Sequence, residues 1–149
     1  MKHNLIIGIG FFAGVCLALQ SAFSSQLGSI LKKPILASIS TYSSGALFAI
    51  FFVVIFSNES LNLQLAKQVP WYLWFIGGLF SVTGITIYYF AFPIIGMGKM
   101  VAIGLCGQLI LSVIAGHFGW LNLPIEPITV RSLFGVMAMM IGIYLITIK

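Results

Sequence analysis

The chain has no aspartate, and its only side-chain carboxylates are Glu59 and Glu126. Charged residues of either sign make up 6% of its 149 positions, against roughly a quarter in a soluble domain. Two histidines, His3 and His117, and two cysteines, Cys16 and Cys106, complete its inventory of reactive side chains. The cysteines fall singly inside apolar runs, so neither a disulfide nor a metal cluster is argued from them. Serine is plentiful, but a hydrolase also needs a base and an orienting group beside the nucleophile. With both histidines at the ends of apolar segments and no aspartate, an intramembrane enzyme is disfavoured. No phosphate-cradling glycine loop or metal-ligand spacing occurs either, and no cofactor is expected.

What the chain has in abundance is apolar surface: 60% of its residues are hydrophobic and its mean hydropathy is +1.15. A soluble fold of this length has too little interior to hide that much from water, which leaves a lipid bilayer as the partner solvent. The seven Lys and Arg are spread between apolar runs instead of clustering on one arm. They therefore read as interfacial anchors and topology signals, and nucleic acid is not an expected partner.

The charges divide the chain into uncharged stretches at Asn4–Leu31, Pro34–Asn58, Gln68–Gly98, Met100–Ile125 and Ser132–Ile148. A spanning helix needs about 20 mainly apolar residues, within a range of about 17 to 25. All five stretches meet that length. The expected architecture is all-α, a single membrane domain over 1–149 with helices near 4–29, 35–57, 70–92, 98–118 and 130–148. The opening Met1-Lys2-His3-Asn4 followed by an apolar run resembles a signal peptide, but no clear small-residue cleavage site follows it, and it is read as a retained first helix. Lys32-Lys33-Pro34 is a short basic turn, the 57–69 segment is the longest polar stretch, Pro93, Gly96 and Gly98 mark a tight turn, and Pro124 and Pro127 interrupt the last connection.

Five spans place the termini on opposite faces of the membrane. The face with the N-terminus carries Lys2, Lys67 and Arg131, and the other carries Lys32, Lys33, Lys99 and Lys149. Orientation follows the Lys/Arg bias, and three against four is close to balance. The expectation is dual insertion, with identical copies meeting head to tail as an antiparallel homodimer. Trp71, Trp74 and Trp120 fall on one face, so an antiparallel pair would place aromatic belts at both interfaces. Ten helices related by an axis in the membrane plane reproduce the inverted-repeat plan of many transporters.

Small residues recur four apart along the spans. Gly10, Gly14, Gly45, Gly77, Gly107 and Gly142 are the expected close-packing positions. Neutral polar residues at mid-depth are the candidates for lining a substrate cavity: Gln20, Ser24, Ser44, Thr86, Gln108 and Ser112. An unpaired Gln amide in hydrocarbon costs several kcal/mol, so these side chains must face protein or water, as interhelical ties or as a lining. Ser38, Ser40, Thr41, Ser43 and Ser44 of the second helix can also bond their own helix backbone, which favours packing as their role. Tyr88 and Tyr89 suit either a cavity or the interfacial belt, and His117 suits the interface beside Trp120.

The strings QSAFSSQLGSILKKP at 20–34, PWYLWFIGG at 70–78, PIIGMGK at 93–99, GQLILSVIAGHFG at 107–119 and VRSLFG at 130–135 together resemble the YdcZ-like family of the drug/metabolite transporter superfamily. The resemblance runs along essentially the whole chain in order. It implies a bacterial multi-pass inner-membrane protein of five helices, related to the small multidrug resistance proteins and, doubled, to ten-helix transporters, with dual-topology, paired and fused versions. Gln20 and Gln108 fall on recurrent family positions. Two departures stand out: Ser24 where relatives commonly have Asn, and Gly116 where they commonly have an acid before His-Phe-Gly. Since no span holds a carboxylate, proton/cation exchange through an intramembrane acid is not expected. The reading is a transporter of a small neutral or amphipathic solute working by alternating access. Its rival is a non-transporting scaffold or accessory subunit.

Overall fold

The structure, a computed structural model, describes residues 2–56, 67–120 and 124–148. Glu59 and most of the polar 57–69 connection lie outside the described residues. Among those described, five helices are long and apolar enough to cross a membrane: α1 Lys2–Ile30, α2 Pro34–Phe56, α3 Leu73–Ile95, α4 Met97–Phe118 and α5 Val130–Thr147. The protein is all-α. It comprises two compact units, Met1–Ile94 and Ile95–Lys149.

The interior is the reverse of a water-soluble core. The fully or nearly buried residues include Ser21, Ser25 and Ser38, with Ala37, Tyr89 and Phe92. Phe11, Phe23, Val54 and Phe80 are each at least 70% exposed. Hydrocarbon rewards this arrangement and water penalises it, because hydrogen-bonding groups find partners inside while alkyl and aromatic groups meet lipid.

In the first unit α1 ends in a Schellman turn. The Lys33 amide donates to the Gly28 carbonyl (3.1 Å) and the Lys32 amide to Ser29 (3.2 Å), while Lys32 takes a left-handed φ of 54°. Such a cap satisfies carbonyls that the helix end orphans. Pro34 then opens α2, where its missing N–H costs nothing. Gly28 makes the close approach possible, since a Cβ there would sit 3.3 Å from Pro34 Cα and 3.4 Å from Ala37 Cβ. The glycines expected at packing positions behave differently. A Cβ on Gly10, Gly14, Gly45, Gly77, Gly107 or Gly142 would meet no atom within 4 Å beyond the glycine's own helix turns among the described residues.

The third helix departs from its expected bounds of 70–92 at both ends. It begins at Leu73 because the chain first makes a tight turn after Pro70, with Leu73 N–H donating to Pro70 O (3.1 Å) and Trp74 N–H to Trp71 O (3.2 Å). It then runs through Pro93, where a turn was expected, and breaks only at Gly96, whose φ is 90°. A proline inside a helix leaves the carbonyl four residues back without its donor. Here that carbonyl belongs to Tyr89, and the buried Ser25 hydroxyl of α1 donates to it (3.3 Å). A neighbouring helix thus supplies the missing hydrogen bond, the condition under which lipid-embedded helices tolerate proline.

In the second unit Gly119, left-handed with φ 61°, caps α4, as Lys99 Nζ does for the far end of α5 by donating to Thr147 O (3.3 Å). A capping box opens α5: Thr129 Oγ1 accepts from the Ser132 amide (3.2 Å) and Ser132 Oγ from the Thr129 amide (2.9 Å). Residues 124–129 fold back on α4, fixed by the Glu126 amide donating to Gly116 O (2.9 Å).

Candidate functional site

Three helices of the first unit turn their few polar side chains toward each other. Residues three or four apart share a helix face, so α1 offers Gln20 with Ser24 and Ser21 with Ser25. On the same rule α2 offers Ser38 with Thr41, and α3 offers Thr86 with Tyr89. These faces join rung by rung. Gln20 Nε2 donates to the Tyr89 hydroxyl (3.0 Å), which donates to Thr41 Oγ1 (3.3 Å), and Thr41 shares a 2.7 Å bond with Ser24. Ser38 and Thr86 hydroxyls meet at 2.7 Å, and one helical turn along the same seam the Tyr42 and Ser81 hydroxyls bond. Tyr89 is the hub. Its side chain is 1% exposed, its hydroxyl holds α1 and α2 together, and its carbonyl receives Ser25.

At 1.5 Å per residue, Gln20 lies roughly 24 Å from Asn4 and 15 Å from Ile30, well inside the span. The seam is therefore a neutral hydrogen-bonding network at hydrocarbon depth. It carries no charge, so it can recognise dipoles and hydroxyls. Each hydroxyl can donate and accept, which lets neighbours exchange partners without leaving a bond unmade.

Of the six candidate lining residues, the structure gathers Gln20, Ser24 and Thr86 in this seam. Ser44 stays outside it, bonding the Ser40 and Thr41 carbonyls of its own helix (2.8 and 3.1 Å). Gln108 and Ser112 lie in the second unit, and both are exposed. Thr41 and Ser38, whose hydroxyls packing accounted for in the sequence, join the seam, as does Ser25, and Tyr89 belongs to it instead of to an interfacial belt. One signal was available: Tyr89 stands four residues before Pro93, so its carbonyl had to find a foreign donor.

The second unit holds a pocket of about 260 Å³, lined in part by Ser112, Gly116, Glu126, Thr129 and Ser132. It lies between the last turns of α4 and the returning 124–129 segment. Beside it the His117 ring accepts the Ile128 amide through Nδ1 (3.3 Å) and packs edge-on to Phe118 (5.1 Å between centroids). Phe118 in turn stacks on Trp120 (6.0 Å). Among the described residues no group of His, Cys, Asp or Glu is arranged to hold a metal ion.

No curated protein matches the chain. No solved structure matches it either. The family model DMT_YdcZ, described as "Putative inner membrane exporter, YdcZ", matches residues 5–145, and the five spanning helices fit it. That description is of a transporter and not of an enzyme class. The chain belongs to the DMT_YdcZ family and is a multi-pass protein of the cell membrane.

Proposed function

We propose that this family member exports a small neutral or amphipathic solute by alternating access, as an antiparallel pair of identical chains. The observation that carries the reading is the seam of neutral amide and hydroxyl groups at hydrocarbon depth, in spans that contain no carboxylate. Such a seam suits a solute recognised by dipoles and hydroxyls, and the absent acid argues against proton/cation exchange through the spans. The near balance of flanking Lys and Arg supports insertion both ways. The glycines at 10, 14, 45, 77, 107 and 142, where an added Cβ would meet no atom beyond the glycine's own helix turns among the described residues, supply faces on which a second chain can pack closely. Gln108, exposed on α4, is assigned to the lining that the paired assembly completes.

Reconstituted protein tests this with a panel of neutral and zwitterionic solutes followed by flux. Gln20→Ala and Gln108→Ala are each expected to lower the flux of the transported solute about three- to tenfold, the worth of a neutral hydrogen bond, while thermal unfolding shows the protein still folded. Unchanged flux from folded variants removes both side chains from the site. A protein that moves no member of the panel yet co-purifies with one fixed partner would favour a scaffold.

A further inference from the structure

We propose that the pocket at the end of α4 is a binding site for a primary ammonium group, with Glu126 as its counter-charge. The inference does not rest on export, because binding is read without transport.

The pocket wall has spent its hydrogen-bond donors. The Ser112 hydroxyl donates to Leu109 O (2.8 Å) and the Ser132 hydroxyl to Thr129 O (2.7 Å). That of Thr129 points to Ser132 Oγ (3.3 Å). The backbone amides of the non-helical lining residues are committed as well. Glu126 donates to Gly116 O (2.9 Å), Ile128 to His117 Nδ1 (3.3 Å) and Thr129 to Ser132 Oγ (2.9 Å), while Pro127 has no N–H to give. The capacity left over is acceptor capacity: the lone pairs of Ser112 Oγ, one remaining on Thr129 Oγ1, and the carboxylate oxygens of Glu126.

A wall of this kind leaves an anion or a pure acceptor unbonded. An ammonium group, with three donors and no acceptor, is its complement, and the carboxylate makes those bonds charge-assisted. The volume of about 260 Å³ is below the roughly 300 to 1,000 Å³ of drug-sized sites, which selects a small amine or a headgroup over a large cation. Two sources share this chemistry, a soluble amine and the headgroup of an aminophospholipid.

The full chain in phosphatidylcholine nanodiscs is titrated calorimetrically with ethanolammonium and with ethylene glycol, which differ chiefly in replacing an ammonium by a hydroxyl. Ethanolammonium is expected to bind at least about tenfold more tightly, and Glu126→Gln to remove at least about tenfold of its affinity, in keeping with hydrogen bonds to charged groups. Ser112→Ala is expected to weaken it by about threefold and leaves the Glu126 loop intact, so it decides the question should Glu126→Gln fail to fold. Repeating the titration in phosphatidylethanolamine nanodiscs separates the sources. A several-fold weaker apparent affinity identifies the lipid headgroup as occupant, and an unchanged one identifies the soluble amine. Equal affinity for the two probes, or ethanolammonium binding that survives both substitutions, overturns the proposal.

Discussion

Variants that tip the flanking charges are expected to insert in one orientation and to lose flux when expressed alone. Lys32→Gln, Lys33→Gln and Gln68→Lys together leave four cations on the face of the N-terminus (Lys2, Lys67, the new lysine at 68 and Arg131) against Lys99 and Lys149 on the other. Lys67→Gln with Arg131→Gln leaves Lys2 alone against Lys32, Lys33, Lys99 and Lys149. The Lys/Arg excess marks the cytoplasmic face, so the first set places the termini one way and the second set the other. An antiparallel pair needs both. Either variant alone is expected to retain under about a tenth of wild-type flux, and co-expression to restore most of it, because the two orientations complement each other. Full activity from a single one-way variant would mean that the chain works without an inverted partner.

The second large effect concerns stability. Ser25→Ala removes the donor that serves the Tyr89 carbonyl, which Pro93 leaves without its helical partner. An unsatisfied buried polar group costs about 1–3 kcal/mol, and the expected loss in reversible unfolding from mixed micelles is of that size. In a Pro93→Ala background the residue at 93 regains an N–H for the same carbonyl, so Ser25→Ala is expected to cost well under half as much there. The coupling between the two positions is the diagnostic quantity. Equal penalties in both backgrounds would show that Ser25 does not substitute for the missing amide.

The helices were legible because charge and proline punctuate a chain that is otherwise apolar. Lys32-Lys33-Pro34, Pro70, Gly96 and Pro127 marked the breaks, and α4 and α5 begin and end within one residue of expectation. Pro93 misled because its effect depends on a partner remote in sequence: Ser25, 64 positions before the Tyr89 carbonyl that it serves, keeps the helix whole. Which face of a helix looks inward was also hidden. A helix that is apolar all round has little amphipathic pattern, so the polar residues alone carry direction. Gln20, Ser24 and Thr86 pointed to the seam, whereas Tyr89, Thr41 and Ser38 had ordinary alternatives in belt and packing. The glycine spacing named faces suited to close approach without saying what approaches them, and Gly28, placed at a turn, proved to be the one against Pro34 and Ala37. The pocket beside Glu126 was unreadable because the 124–129 segment folds back through backbone bonds that leave no mark on side-chain pattern.

The most direct measurement is accessibility labelling in native membranes, with Cys16 and Cys106 replaced by alanine and a single cysteine added at either end of the chain. A maleimide that does not cross the bilayer should reach each terminus in part of the population from outside, and the remainder only once the membrane is permeabilised. Each terminus found wholly on one side would contradict insertion both ways, and with it the paired assembly.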